Sequence, residues 1–439
     1  MSQIITTDNS NKTIDSESDL QNLAKIADIQ IKDLKLDDNP NLLVFPRDLH
    51  RYGDEISENN IINIQGDKIA TGNIMGFVGV NDTQLDIKSR FAKDCPQDYF
   101  LHYMLRKVFS INLFDIKHTT RQEDIFDFLL YLFPHFLKKA LAQGLFKKYR
   151  RFEYNDANIR GPIDVNRHIR ENIPFRGTVA YLTREHSYDN EVTQLVRHTV
   201  EFIRTKEQGS AILNNDLETK TCVSQIVMAT QTYNVRDRNR VISQNLRPVR
   251  HPYYSAYTAL QKICLQILRH ESIKYGQERD KVYGVLFDGA WLWEEYLNTI
   301  LKPLGFNHPE NKKQKGGFRM FEKESDDDAI SKNSRRLYPD FWKDDFILDA
   351  KYKHLHNGVT REDLYQVVTY MYCKEAKNGG YLFPSESEAN KSQFQLNGYG
   401  GFIHLLPFLI PQLKKDFSTF SKEIKDVEKT MKGIIKNIQ

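Results

Sequence analysis

The sequence feature that most constrains the fold is residues 337–353, where charged residues occur within a pattern typical of β-strands. Its second half alternates between two faces: Ile347, Asp349 and Lys351 share one, and apolar or aromatic side chains occupy the other. An aspartate and a lysine two positions apart in a strand stand side by side. The pattern therefore predicts a strand that presents a carboxylate next to an ammonium group in an apolar setting.

A tight turn would bring a second carboxylate to the same place. If Asp344 and Asp345 form a two-residue hairpin turn, residue 343 pairs with residue 346, and counting back places Asp340 opposite Asp349. Cross-strand neighbours lie about 4.5–5.5 Å apart, so the two carboxylates converge. Clustered carboxylates repel one another unless a cation neutralises them, and oxygen ligands suit a hard divalent ion. The spacing predicts a Mg²⁺ site beside a lysine that positions or activates water.

The Asp-x-Lys pattern alone is a weak signal. It also occurs at residues 33–35, 86–88 and 115–117, which we interpret as solvated faces. The occurrence at residues 349–351 differs because Pro339-Asp340 precedes it at hairpin distance.

Periodicity and composition divide the chain of 439 residues into four segments. Residues 1–25 are rich in small polar side chains and are predicted to be a disordered tail. Short apolar runs between turn signals predict a small β-rich N-terminal module at residues 26–97. Residues 98–250 are predicted to be mainly helical, and residues 251–439 to form a mixed α/β domain, so the fold class is α/β.

The middle segment shows three helical patterns. One begins at Asp98, and a second is predicted to run past Pro134 into the basic stretch 147–151. A third is predicted over residues 189–206, with an N-cap at its start. The arginine-rich stretch 234–252 is interpreted as a linker at a domain boundary.

Composition excludes several classes of protein. With 40% hydrophobic and 27% charged residues, the chain has a globular composition. No apolar run reaches the roughly 20 residues of a membrane-spanning helix, and the N-terminus lacks a signal-peptide pattern, so a soluble cytoplasmic protein is expected. The four cysteines lie far apart, which excludes a Cys-x-x-Cys zinc or redox motif. None of the 22 glycines is followed by lysine, so the chain has no phosphate-binding loop of the Gly-Lys-Ser/Thr type.

The motifs together are specific enough to indicate a family. Pro339-Asp340 followed by Asp349-Ala350-Lys351 resembles the signature of the PD-(D/E)xK nucleases. Residues 348–353 followed by 363–370 resemble the McrC family in particular, the nuclease subunits of GTP-dependent McrBC-type restriction systems. The similarity to this family spans residues 60–410. Further segments that resemble it are 160–164, 187–191, 286–288 and 293–296.

The resemblance implies a Mg²⁺-dependent DNA endonuclease whose C-terminal domain has a restriction-endonuclease-like fold. It makes Asp340, Asp349 and Ala350 the metal-binding residues, Lys351 the catalytic lysine, and Glu294 an accessory carboxylate. It also implies a partner, an McrB-like AAA+ GTPase hexamer ring, which the segments before residue 250 would contact and stimulate.

DNA contact is expected to rest mainly on phosphate neutralisation, and the formal net charge of +4 does not by itself identify the surface. The basic stretches 147–151 and 236–250 are candidates, although each could be a plain solvated surface. The candidates nearest the active strands are Lys312, Lys313, Lys315 and Arg319, together with Gln366 and Tyr370 on a polar helix stripe.

Two other functions stay open at this point. The chain could be a non-catalytic adaptor that activates an AAA+ partner and keeps a vestigial nuclease fold, or a stand-alone repair nuclease. Restriction subunits of the LlaJI type share much of the pattern, so methylated DNA and a fixed sequence are both possible targets.

Overall fold

A computed structural model describes most of the chain, which divides into two compact units. The units are Met1–Leu113 with Glu278–Gln439, and Phe114–Gln277. The described residues are 2–30, 42–45, 60–91, 98–109, 121–206, 209–214, 216–273, 282–309, 316–321, 336–355, 358–387, 392–398, 400–414 and 416–438.

Strands and helices are numbered in chain order. The strands are β1 (Ser2–Thr7), β2 (Asn11–Thr13), β3 (Leu42–Phe45), β4 (Ile62–Gln65), β5 (Lys68–Thr71), β6 (Ile74–Val80), β7 (Thr83–Lys88), β8 (Lys148–Asp156), β9 (Val179–Ser187), β10 (Val282–Asp288), β11 (Phe318–Arg319), β12 (Arg336–Leu337), β13 (Phe341–Lys343), β14 (Phe346–Ala350), β15 (Asn378–Ser385), β16 (Ser392–Gln395) and β17 (Phe402–Leu409). The helices are α1 (Glu17–Leu23), α2 (Tyr99–Phe109), α3 (Arg121–Leu141), α4 (Val165–Asn172), α5 (Glu191–Arg204), α6 (Gly209–Leu213), α7 (Leu217–Ala229), α8 (Arg238–Gln244), α9 (Ala256–Ile273), α10 (Gly289–Leu301), α11 (Arg361–Lys374) and α12 (Phe417–Ile438).

The first sheet of the first unit joins the N-terminal strands with a strand from residues 282–288. Within the described ranges it has five strands in the order β1-β7-β6-β10-β3. Strand β10 runs antiparallel to β6 and parallel to β3. Gly76 allows β6 to approach β10 closely, because a Cβ there would collide with the Val285 carbonyl. The predicted N-terminal module is therefore continuous with the C-terminal half and not a separate domain.

The prediction of a disordered tail at residues 1–25 is wrong. Strand β1 pairs in parallel with β7, and Ile4 packs in the core of this sheet. Helix α1 begins after the N-cap Ser16, whose side chain accepts a hydrogen bond from the Asp19 backbone N–H. The polar composition reflects an edge strand and a capped helix, which both leave many side chains in solvent.

The second sheet of this unit contains the charged hairpin predicted from the sequence. In the described part of the chain its order is β13-β14-β15-β17-β16. Helix α11 is the crossover between the parallel strands β14 and β15, and its N-cap is Thr360. The core beneath it includes Ile347, Val367 and Tyr381. Helix α10 carries the predicted residue Glu294.

The second unit corrects one prediction about the middle segment and confirms another. Helix α3 continues through Pro134 but ends at Leu141, so most of the basic stretch 147–151 lies in β8, not in a helix. Strand β8 pairs antiparallel with β9 along its whole length. The helix predicted over 189–206 is α5, and Asn190 caps it through a reciprocal capping box with Thr193.

The predicted domain boundary at residue 250 also differs from the structure. The stretch 234–252, interpreted as a linker, contains the 3₁₀ turn Val235–Asp237 followed by α8. Helix α9 follows it in the same unit, which ends at Gln277. Arginines suit exposed helix positions as well as linkers, so composition alone misplaced the boundary. Among the described helices, none combines the length and apolar character needed to cross a membrane.

Candidate active site

The hairpin of β13 and β14 has the register that the spacing predicted. Lys343 pairs with Phe346 across the two-residue turn, and Asp344 adopts the left-handed φ of 47° that such turns favour. The pairing continues to Phe341 and Leu348. One further step places Asp340 level with Asp349, so a local rule of pairing brings two carboxylates together.

The two carboxyl groups differ in their surroundings. Asp340 accepts a hydrogen bond at Oδ2 from the Ala350 backbone N–H, at 2.7 Å, and His308 Nδ1 donates to the Asp340 carbonyl oxygen at 2.7 Å. Asp349 is only 2% exposed. Its Oδ2 lies 2.8 Å from the Lys351 ammonium but accepts no well-directed hydrogen bond within the described residues. A buried carboxylate oxygen with spare acceptor capacity suits a cation.

The pKa values of both carboxyls are raised. Burial and the neighbouring Asp340 carboxylate raise the pKa of Asp349 to about 7, against the opposing charge of Lys351. Burial also raises the pKa of Asp340, although the Ala350 hydrogen bond and Lys351 oppose it. Ionisation of both carboxyl groups is thus unfavourable in these surroundings unless a further cation is present.

Lys351 lies between two carboxylates, and Asp363 is the one that was not predicted as a site residue. Lys351 Nζ is 3.0 Å from Asp363 Oδ1, in addition to its contact with Asp349. Asp363 Oδ2 binds Lys353 Nζ at 2.6 Å. Burial would lower the pKa of Lys351, but the two carboxylates raise it above its ordinary value, so the ammonium stays charged. The sequence showed Asp363 only as one member of a polar stripe on α11.

Two further predicted residues, Gln366 and Tyr370, lie on α11. Gln366 Nε2 donates to the Tyr370 hydroxyl at 2.9 Å, and Tyr370 is buried. Burial raises the pKa of Tyr370, and the charges of Asp340 and Asp349 raise it further. Gln366 itself is exposed, so the pair reaches from the acidic site to solvent.

The remaining predicted residues are less closely tied to this geometry. Arg319 is exposed on β11, whose Phe318 ring lies 6.4 Å from the ring of Tyr370. Glu294 is half-buried on α10, and its accessory role stays a prediction. Lys312, Lys313 and Lys315 lie outside the described residues.

The described residues hold no cluster of three or more His, Cys, Asp or Glu side chains arranged for a metal ion. Two aspartates alone would leave most positions around a Mg²⁺ ion to backbone carbonyls and water, which is usual for this ion.

The parallel strands joined by a crossover helix, with acidic residues on the preceding hairpin, define a mixed α/β fold. The model of a family described as "McrBC 5-methylcytosine restriction system component" matches residues 69–384. Because the match covers more than half of the chain, this protein belongs to that family, and the resemblance inferred from the sequence is confirmed.

Two chains in solved structures are similar to this one. A chain in a refined half-complex from a tetradecameric assembly of Thermococcus gammatolerans McrB AAA+ hexamers with bound McrC is 16% identical, with 100% of each chain covered and a TM-score of 0.50. A chain in the cryo-EM structure of the Thermococcus gammatolerans McrBC complex is 16% identical over 69% of this chain and 87% of that one, with a TM-score of 0.34. Among curated proteins no match is found. The first likeness supports the α/β fold class.

Proposed function

We propose that this chain is a Mg²⁺-dependent DNA endonuclease subunit of a GTP-dependent McrBC-type restriction system. The observation that carries the proposal is the convergence of Asp340, Asp349 and Lys351 at one end of a buried hairpin. A structural role explains this arrangement poorly, because burying two carboxylates together costs free energy that a third charge only partly offsets.

The residues present fit a divalent ion. Asp349 Oδ2 has spare acceptor capacity, and burial together with Asp340 makes a second negative charge unfavourable without a cation. Asp340, Asp349 and the backbone carbonyl of Ala350 would hold the ion. When bound, Mg²⁺ would polarise the scissile phosphodiester and lower the pKa of a coordinated water.

The chain's own side chains supply the other requirements of phosphodiester hydrolysis. The Lys351 ammonium remains protonated, so it can orient the attacking water or offset the negative charge that develops on the phosphate oxygens. Asp363 binds the Lys351 ammonium in addition to Asp349, so two carboxylates hold it. Gln366 and Tyr370 extend from this point to the surface, where they can contact the DNA backbone.

Phosphate contact beyond the active site is assigned to Arg319 and to Lys312, Lys313 and Lys315, which precede it in the sequence. Arg319 is exposed on the short strand β11. Cationic side chains at such positions raise affinity without reading sequence, so specificity would come from elsewhere in the complex.

The partner is proposed to be an AAA+ GTPase ring. The solved structure of the same fold contains McrC bound to McrB AAA+ hexamers. The present chain has no glycine followed by lysine, so a partner would have to bind the nucleotide through a phosphate-binding loop. We assign contact with that partner to the second unit, which exposes large apolar side chains such as Ile169 and Phe175.

The decisive experiment measures DNA cleavage by the chain reconstituted with its AAA+ partner, GTP and Mg²⁺. Asp349→Asn and Lys351→Ala should each lower the cleavage rate by about 10²- to 10³-fold, because each removes electrostatic stabilisation of the transition state. Asp344→Asn is the matched control, since it makes the same chemical change in the exposed turn of the same hairpin at a φ that asparagine tolerates.

Three outcomes would contradict parts of the proposal. Cleavage that persists in Asp349→Asn would refute the assignment of Asp349 to the active site. Stimulation of the partner's GTP hydrolysis without any cleavage, and with calorimetric Mg²⁺ binding unchanged by Asp340→Asn, would indicate an adaptor. Cleavage by the chain alone, without partner or nucleotide, would indicate a stand-alone nuclease.

A further inference from the structure

Residues 351–354, which follow β14, alternate between two environments. Lys351 and Lys353 both bind Asp363. Tyr352 and His354 contact another part of the unit: the His354 ring lies 4.5 Å from the ring of Phe91, just after β7. The segment therefore connects the acidic site with the N-terminal sheet.

Backbone pairing with the sheet ends where this segment begins, at Lys351. Pairing between β14 and β15 ends at Ala350 and Leu382, and the Lys351 backbone N–H donates to the Leu382 carbonyl at 3.0 Å. From there on, side-chain contacts must determine the path of the backbone. The largest of these side chains is Tyr352, which is 5% exposed.

The Tyr352 side chain lies in a pocket, called the socket below, that is formed by Met75 on β6 and by residues 89–91 after β7. Its hydroxyl lies 2.8 Å from Ser89 Oγ and donates to Met75 Sδ at 3.1 Å. The Arg90 guanidinium lies 5.2 Å from the ring centroid, and the Phe91 ring meets it edge-on at 5.1 Å. Both ends of the side chain are thus restrained, the ring by a cation and an aromatic edge and the hydroxyl by polar atoms.

Helix α10 and the start of the chain complete the socket. A Cβ on Gly289 would lie only 2.7 Å from the Tyr352 ring, so a larger residue at that position would displace the tyrosine. Asp8, directly after β1, is fully buried and holds Arg90: Oδ1 accepts from the Arg90 backbone N–H at 2.6 Å and Oδ2 from Nε at 2.7 Å. The residue directly after β1 therefore forms the ion pair with Arg90, and Arg90 packs against the Tyr352 ring.

We infer that Tyr352 is a positioning residue for the catalytic lysine, and that Asp8 and Arg90 hold its socket in place; this inference rests on the proposed function. The ring anchors the backbone between Lys351 and Lys353, so both ammonium groups reach Asp363 from a defined position. A displacement of about 1 Å in a reacting group can cost about 100-fold in rate, so a loose segment would impair cleavage without changing any group at the site.

The test compares Tyr352→Leu with Tyr352→Phe in the full-length chain reconstituted with its partner. Tyr352→Leu should lower the single-turnover cleavage rate by about 100-fold and leave DNA affinity within about twofold of wild type, because it disturbs position and not charge. Tyr352→Phe keeps the ring and should stay within about threefold of wild type, whereas Asp8→Asn, which touches no group of the site, should cost about tenfold.

Tyr103→Leu is the matched control. Tyr103 is an equally buried tyrosine of the same unit whose hydroxyl donates to Glu428 at 2.9 Å, so its loss destabilises the unit without touching the socket. Its cleavage rate per folded molecule should equal that of wild type. If Tyr352→Leu and Tyr103→Leu lower the rate equally, the positioning role is refuted.

Hydrogen exchange of the isolated chain separates this inference from the proposed function. Tyr352→Leu should speed amide exchange in residues 351–355 by about tenfold or more, because the Lys351 amide loses its support, while exchange in β15 stays unchanged. Unchanged protection of residues 351–355 would refute the socket's role whether or not the chain cleaves DNA. Absence of cleavage by the wild-type complex, with protection lost in Tyr352→Leu, would refute only the nuclease proposal.

Discussion

Replacing Asp363 with asparagine should weaken both the site and the fold around it, because this carboxylate binds two lysines. Burial opposes its ionisation, but Lys353, Thr360 and Lys351 bind the anion and together lower the pKa of Asp363 from 3.8 to about 2. That difference corresponds to about 2.5 kcal/mol, which solvent screening reduces to about 1–2 kcal/mol at this partly exposed position.

The sign of the pH dependence follows from the direction of the pKa. Because the pKa of Asp363 is lower in the folded chain, its stabilisation is fully present above pH 3.8 and is lost as the pH falls through about 2. Asp363→Asn should therefore lower the free energy of unfolding by about 1–2 kcal/mol at neutral pH, and the difference from wild type should shrink in acid.

Catalysis should respond more strongly than stability does. In Asp363→Asn, Lys351 keeps only Asp349 as an ion-pair partner, so its ammonium is held on one side alone. The single-turnover cleavage rate should fall by about 10- to 100-fold, while DNA affinity changes little.

Urea denaturation and single-turnover cleavage would measure the two effects of Asp363→Asn on the same preparations. Glu362→Gln is the control, because Glu362 is the preceding residue in the first turn of α11, is exposed, and loses the same charge. Equal unfolding free energies and equal cleavage rates for the two variants would refute the assigned role of Asp363.

Two further predictions concern stability. Burial lowers the pKa of His198 to about 4, below its ordinary value of 6.5, so the second unit should lose stability as the pH falls from 6.5 to about 4. His198→Phe should reduce this slope in urea titrations, and an unchanged slope would contradict the assignment. Glu428, buried on α12, accepts hydrogen bonds from the Tyr103 and Tyr296 hydroxyls and pairs with a lysine. Glu428→Gln should lower the unfolding free energy by about 2–4 kcal/mol, and the exposed Asp426→Asn by less than about 0.5 kcal/mol; equal losses in urea denaturation would contradict this.

The parts of the fold that were predictable depend on local information. The hairpin register follows from a two-residue turn, and helix α11 follows from its apolar stripe and its cap at Thr360. The order of the first sheet could not be predicted, because β10 is inserted between β6 and β3 from a distant part of the chain. Such pairing is selected by tertiary contacts, which composition does not record.

The N-terminal segment shows why composition was misleading there. In the described part of the chain, strand β1 pairs with β7, and the segment places Ile4, Ile14 and Leu23 in the core of this sheet. A few core residues and the hydrogen bonds of one strand pair are thus enough to order a mostly polar sequence. Asp8 adds a fully buried charge whose partner, Arg90, lies 82 positions away. A lone acidic residue in a polar segment has no local signal that distinguishes it from a solvated one.

The same limit separates the predicted site residues from those that were missed. Asp340 and Asp349 are nine positions apart and meet through a turn between them, so counting residues was enough. Asp363 reaches Lys351 only because the chain crosses from β14 to β15 through α11, and Tyr352 meets Ser89 only because two sheets share one unit. In this chain the groups assigned to the chemistry are encoded locally, whereas the groups that hold them in position are encoded by the tertiary fold.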